Sequence, residues 1–143
     1  MHKLKIVVYI AGTINGLPIQ EVVERFGALK TRLEMDGFEV LSPLRKKSLL
    51  TDADYWQFSP NEIVHRDLTD IDRANILLVI KTHPSIGASM EIMYARYVRH
   101  IPVILVSDNP AVTNHYWIRA LSSKICKTVD EGIEYLKWFV RED

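Results

Sequence analysis

The fold class predicted by this chain is α/β, a doubly wound parallel sheet, and three observations predict it. Three unbroken apolar runs rich in Val, Ile and Leu, and two shorter interrupted ones, recur along the 143 residues. Unbroken apolar runs of this length mark strands buried on both faces, which is the parallel arrangement. Stretches of helical period lie between them, and strands that alternate with helices wind into a parallel sheet. No internal repeat, low-complexity tract or linker breaks the pattern, so residues 1–143 are read as one domain.

The elements follow in order. Lys5-Ile6-Val7-Val8-Tyr9-Ile10 is the first strand, and Ala11-Gly12-Thr13-Ile14-Asn15-Gly16 a glycine-containing loop. Pro18 suits a helix start, and Val22, Val23, Phe26, Leu29, Leu33 and Met35 carry that helix to a stop near Gly37. Phe38 to Leu41 is a short second strand. Residues 42–58 show no period and hold Tyr55, Trp56 and Phe58, which reads as a long functional loop or lid. Ser59-Pro60-Asn61-Glu62 has the form of a capping box with proline at the first helical position, opening a helix to about Arg73. Ile76 to Ile80 is the third strand, and helical period runs from Met90 to Arg99 with Met90, Tyr94, Tyr97 and Val98 on one side. Ile101 to Val106 is the fourth strand, Ser107 to Thr113 a polar turn region, and His115 to Leu121 a short helix. Ile125 to Val129 is the fifth strand. Thr128-Val129-Asp130-Glu131 caps a last helix that carries Ile133, Leu136, Trp138 and Phe139. Five strands in this rhythm imply a Rossmann-like sheet in flavodoxin-like order.

Composition narrows the class of function. With 48% hydrophobic and 25% charged residues the chain is an ordinary globular protein. Lys+Arg and Asp+Glu both number 18, so no basic field recommends a nucleic acid polymer as partner. The single Cys126 excludes an internal disulfide and reads as a small core residue on a strand. No apolar stretch reaches a membrane-span length and no signal-peptide pattern opens the sequence, so a cytoplasmic protein is expected.

Two acids stand where apolar residues are expected. Glu91, at about 100° per residue, falls beside Ala95 and Val98 on the apolar half of its helix. It follows the carboxyl end of a central strand, where open α/β sheets keep their ligands, and the nearby helix N-terminus favours its ionised form. Asp67 lies four residues from both Ile63 and Ile71 on a stripe defined by Ile63, Val64, Ile71 and Ala74. Two readings of Asp67 stand together: a buried acid that caps a loop or pairs with an arginine, or a catalytic group. Asp70, at the stripe's edge, pairs with Arg66 or with substrate, while Asp72 faces solvent. Two inward carboxylates suit cleavage of a glycosidic bond, one acting at the anomeric carbon and the other on the leaving group.

The remaining signals are weaker. Gly12 and Gly87 follow the first and third strands, and with Ser85 and Ser89 they offer donors to a phosphate or a ribose hydroxyl. The loops are equally well read as turns without a ligand, since neither is a full phosphate-binding motif. Tyr9 is a core aromatic or a stacking platform for a base. His65, His83, His100 and His115 are scattered without metal-ligand spacing, so neither a metal nor an organic cofactor is expected. The Met90/Met93 and Trp117/Trp138 pairs read as packing.

Taken together, Tyr9-Ile10-Ala11-Gly12-Thr13-Ile14, Arg66-Asp67-Leu68 and Pro84-Ser85-Ile86-Gly87-Ala88-Ser89-Met90-Glu91 resemble the nucleoside 2-deoxyribosyltransferase superfamily. The Pro-Ser-x-Gly-x-x-x-Glu segment is most similar to the branch of 2′-deoxynucleoside 5′-monophosphate N-glycosidases and CMP hydrolases. The resemblance implies a glutamate nucleophile at Glu91, which forms a glycosyl-enzyme intermediate, and an aspartate at Asp67 that assists the leaving base. It implies a phosphate loop at Ser85 and Gly87, extended by Ser89. It also implies a sugar and base pocket at Tyr9, Gly12, Thr13 and Ile14. Tyr116-Trp117-Ile118-Arg119 resembles a segment that brings a phosphate contact from a neighbouring subunit, so a homodimer or larger assembly is implied. His115 stands where the mammalian glycosidase branch has a serine, and Asn15 where it has an arginine. The expected activity is hydrolysis of a (deoxy)nucleoside 5′-monophosphate at its N-glycosidic bond. Base exchange on free nucleosides and a non-catalytic nucleotide-binding module are the alternatives.

Overall fold

The computed structural model describes residues 5–13, 17–43 and 59–140. Ile14, Asn15 and Gly16, and the expected lid with Tyr55, Trp56 and Phe58, lie outside the described residues.

The strands are β1 (Val7–Gly12), β2 (Glu39–Leu41), β3 (Ile76–Ile80), β4 (Val103–Val106) and β5 (Lys124–Cys126). They form one parallel sheet in the order β2-β1-β3-β4-β5, the flavodoxin-like order. The register sets Tyr9 opposite Leu77 and Gly12 opposite Ile80. Between the strands run α1 (Ile19–Met35), α2 (Pro60–Arg73), α3 (Ile86–Met93), α4 (Pro110–Thr113), α5 (Tyr116–Leu121) and α6 (Val129–Val140). A π turn, Tyr94–Val98, continues α3.

Local chemistry sets most of these boundaries. Ser59 Oγ accepts the Glu62 N–H at 3.2 Å with proline at the first helical position of α2. Thr128 Oγ1 accepts the Glu131 N–H and Glu131 Oε2 accepts the Lys127 N–H, both at 3.1 Å, which is a reciprocal cap for α6. Gly37 takes the left-handed backbone (φ 96°) that ends α1, a conformation open to glycine.

Because strand side chains alternate, the sheet separates two cores. Val8, Ile10, Ile76, Leu78 and Ile104 pack under α1 and α6. Tyr9, Ala11, Leu77, Val79 and Leu105 pack under Ile71, Ala88, Ile92 and Ile118 on the other side.

Several sequence expectations are corrected here. The helix after β3 starts at Ile86, capped by Ser85, four residues before the apolar period suggested. Its buried residues are Ala88, Ile92 and Ala95, whereas Met90, Tyr97 and Val98 are exposed. Sequence period cannot tell a buried apolar stripe from an uncovered one, and the π turn shifts the frame beyond Tyr94. On α2, Val64 is exposed and Asp70 is buried, the reverse of the expected stripe edge. Trp117 is exposed, and Trp138 is half-exposed with its ring 5.7 Å from that of Tyr135. Pro110–Thr113 is a helical turn inside the expected polar region, and Val129 opens α6 instead of closing β5. Cys126 is buried, as its strand position predicted.

Candidate active site

Odd-numbered residues of β1 and β3 point toward α2 and α3, and this aims Tyr9 at Glu91. The Tyr9 hydroxyl donates to Glu91 Oε2 at 2.5 Å. Tyr9 is wholly buried, so it is neither a free stacking platform nor inert core: its ring packs and its oxygen holds the acid. Burial pushes the tyrosine hydroxyl well above its ordinary pKa, and the charges of Glu91, Asp67 and Asp70 add to this. Tyr9 is therefore a neutral, permanent donor.

Glu91 itself is pushed up to about 8. Burial is the largest cause, the Tyr9 hydrogen bond works against it, and the negative charge of Asp67 raises it further. This corrects the expectation that the helix N-terminus holds Glu91 ionised. Glu91 is more than one turn inside α3, beyond the range where the helix end acts strongly, so loss of water wins. Surface access to Glu91 is partial.

From α2, Asp67 faces the same cleft. Its Oδ1 lies 3.3 Å from Arg66 Nη2, which also donates to the Pro43 carbonyl at 2.8 Å. The arginine partner expected for Asp67 is thus present, and its charge also acts on Glu91 and Tyr9. Asp70 is only 1% exposed, a third acid near the tyrosine that the sequence did not assign to the interior. Asp72 is on the surface as expected, accepting from the Tyr94 hydroxyl at 2.6 Å and pairing with Arg99 Nε at 3.3 Å.

Gly12 ends β1 where any side chain would collide. A Cβ there would meet the Ile80 carbonyl oxygen at 2.5 Å and the Phe26 ring at 3.2 Å. Thr13 is buried, with its N–H on the Ile80 carbonyl and its hydroxyl on the His83 carbonyl. Ser85 caps α3 by accepting the Ala88 N–H, and Gly87 is in the first turn, whose N–H groups have no helical acceptor.

Ser89 and His115 do not join Glu91. Ser89 is two residues from Glu91, hence about 200° around the helix. It lines a different cavity, between α3 and the α4–α5 segment, together with Lys81, Ser85 and His115. His115 caps α5, its Nδ1 accepting the Trp117 N–H at 3.2 Å. Among the described residues no group of three or more His, Cys, Asp or Glu could hold a metal. No helix among them is long and apolar enough to cross a membrane.

Residues 6–104 match the family model described as a domain of unknown function, DUF4406. The chain belongs to this family. No curated protein matches it in sequence. The fold is shared with solved structures over nearly the whole chain. The 2-deoxyribosyltransferase of Leishmania mexicana is 13% identical, with 92% of this chain and 96% of that one covered and a TM-score of 0.67. The 2-deoxyribosyltransferase of Bacillus psychrosaccharolyticus is 18% identical, covering 87% and 88%, with a TM-score of 0.64. The CMP N-glycosidase BcmB of Clostridium botulinum is 20% identical, covering 94% and 99%, with a TM-score of 0.62. At these identities the likeness is one of fold, and it bears out the expected fold class and the resemblance at that level.

Lys81 escaped the sequence reading. Its signal was available: a lysine directly ends the five-residue apolar run Ile76–Ile80.

Proposed function

We propose that this DUF4406 chain cleaves N-glycosidic bonds, with a (deoxy)nucleoside 5′-monophosphate as substrate and water as acceptor. The observation that carries the reading is the hydrogen bond from Tyr9, on the central strand β1, to Glu91, with the charge of Asp67 acting on both. In the first step a Glu91 oxygen bonds to C1′, the C1′–N bond breaks, and its electron pair leaves with the base. Asp67 guides the proton that the base takes up. Water then attacks C1′, frees Glu91 and releases the sugar phosphate. Ser85 and the Gly87 N–H, at the start of α3, are the phosphate contacts. Since Glu91 holds its proton up to about pH 8 in the empty site, activity on free enzyme rises with pH toward that value.

Base exchange on free nucleosides is the second reading. The position of Ser89 and His115 favours it, because they open away from Glu91 and leave fewer donors for a phosphate. One experiment separates the readings: chromatography of base released from ribo- and deoxynucleoside monophosphates and their nucleosides, with and without an acceptor base, beside Glu91→Ala. Release from monophosphates in water, lost in the variant, supports hydrolysis. Turnover of nucleosides alone, and only with acceptor present, makes the protein a transferase. No release from any substrate leaves a binding module.

The chain is further proposed to pair with a second copy through Ile86, Met90, Tyr97, Tyr116 and Trp117. These five large side chains are all exposed along α3, its π turn and α5. Sedimentation should give a mass of twice 16.5 kDa, and Trp117→Glu with Ile86→Glu should return it to that of one chain.

A further inference from the structure

Arg66 and Asp67 are neighbours on α2, about 100° apart around the helix, yet their side chains meet. Arg66 Nη2 lies 3.3 Å from Asp67 Oδ1, and the same nitrogen donates to the Pro43 carbonyl at 2.8 Å. An Nη2 carries two N–H bonds, one for each of these acceptors. Both ends of the ion pair are largely buried, with 17% and 15% of their side chains exposed. Pro43 follows the end of β2 and is 23 positions from Arg66, so the bond ties α2 to the sheet. A main-chain carbonyl anchors the guanidinium, and the guanidinium anchors the acid.

This arrangement leaves Arg66 incompletely satisfied. Its Nε is buried without a hydrogen-bond partner among the described residues. Folded proteins keep few buried donors in that state, so the direction of the guanidinium is set by what Nη2 holds. Asp67 needs such a hold. Its negative charge acts on Glu91 and on Tyr9, and Asp70 adds charge near the same tyrosine. Like charges in a dry cleft repel, and a carboxylate free to turn about its own torsions moves toward water. Arg66 opposes this, and its planar fork fixes direction as well as charge.

We infer that Arg66 is the positioning residue of the leaving-group side: it holds Asp67 turned toward the departing base and ties that direction to the end of β2. The inference rests on the glycosidase reading. Arg66 makes and breaks no bond to substrate and stays charged throughout. The acid it orients acts while the C1′–N electron pair leaves with the base, so the role is felt in the rate of cleavage and not in affinity for substrate. The effect also passes through Asp67, and it vanishes once that carboxylate is gone.

Base release from the monophosphate that the full chain cleaves fastest, followed for Arg66→Met, Asp67→Asn and the double variant, tests this. Arg66→Met should lower kcat about 100-fold and leave KM nearly unchanged. Asp67→Asn should lower kcat at least as far, and adding Arg66→Met to it should cost nothing more. Arg66→Lys keeps the charge without the two-way bridge. It should lose less than Arg66→Met, again nothing in the Asp67→Asn background, and it serves if Arg66→Met does not fold. The 4-nitrophenyl glycoside of the same sugar phosphate has a leaving group that departs without a proton, so the parent and Arg66→Met should cleave it at similar rates. Losses that add in the double variant, a raised KM with kcat unchanged, or equal losses on the two substrates would overturn the inference and leave the glycosidase reading in place. No base release by the parent from any monophosphate or nucleoside would overturn that reading and the inference with it.

Discussion

The two sides of helix α3 are opposite electrostatic environments built on one element. On the side of α2, the acids Asp67, Asp70 and Glu91 gather around a buried tyrosine, and the local conflict is negative charge without water. On the side of α5, a buried lysine faces serines and a histidine with no acid among them, and the conflict is positive charge without water. Residues two apart on a helix never face each other, so Ser89 and Glu91 serve different cavities although they nearly touch in sequence. A short stretch read as one phosphate loop plus one nucleophile is, in three dimensions, a helix with acids on one side and a lysine-lined cavity on the other. The conflicts also titrate in opposite senses, which gives the comparison a measurable form.

The largest effect expected is on stability against pH. Glu91 has a folded pKa of about 8, above its ordinary value of 4.5. Its favourable contribution is complete below about pH 4.5 and is lost as pH rises through 8, with a ceiling of about 5 kcal/mol that its partial solvent access lowers. Glu91→Gln should therefore be more stable than the parent at pH 9 and nearly equal to it at pH 5, by denaturant unfolding. Lys81 has a lowered folded pKa, so its penalty is present at neutral pH and fades only as pH rises through that pKa. Lys81→Met should be at least as stable as the parent at pH 7, with a gain of about 1 kcal/mol. Should the two variants give curves parallel to the parent, the two sides of α3 do not differ as described.

A smaller effect sharpens the acidic side alone. The Tyr9 hydrogen bond is the one influence that lowers the Glu91 pKa. A hydrogen bond to a charged group contributes about 1.5–3 kcal/mol, so Tyr9→Phe should move the acidic limb of the rate profile up by about one to two pH units. Activity at pH 7 should fall roughly 10- to 100-fold, and recover in part at pH 9. A uniform loss at every pH would mean that Tyr9 only packs and does not set the state of Glu91.

How much of this was legible in the sequence depends on what each signal measures. Apolar runs report burial of strands, so β1, β3 and β4 stand out, and the alternation of strands with helices gives the order. Ser59 with Glu62 and Thr128 with Glu131 report hydrogen bonds that close within three residues, so those helix starts were readable. Glu91 and Asp67 were found because an acid at an apolar position is informative without any partner. Asp70 was missed because its burial comes from elements far away in sequence, and Lys81 because a charged residue after an apolar run reads as the point where the strand leaves the core. Ser89 was grouped with Glu91 because they are neighbours in a motif, whereas the direction of a side chain depends on its turn of helix. The exposed stripe of Met90, Tyr97 and Val98 misled the reading of the helix for a related reason: apolar residues left uncovered look like core in a sequence.

The smallest effect expected is a control on the reach of the acidic side. Asp72 is five residues from Asp67 and two from Asp70 along α2, yet it meets solvent and joins Tyr94 and Arg99 at the far end of α3. Both ends of its ion pair are nearly half exposed, so the pair contributes about 1 kcal/mol or less. Asp72→Asn should lower thermal stability by only a few degrees and leave the pH dependence of activity where it was, since solvent screens a charge placed there. A displaced pH profile in this variant would show that the field at Glu91 is set by the whole of α2 rather than by the buried acids around Tyr9. The division made by α3 would then be one of distance and not of burial.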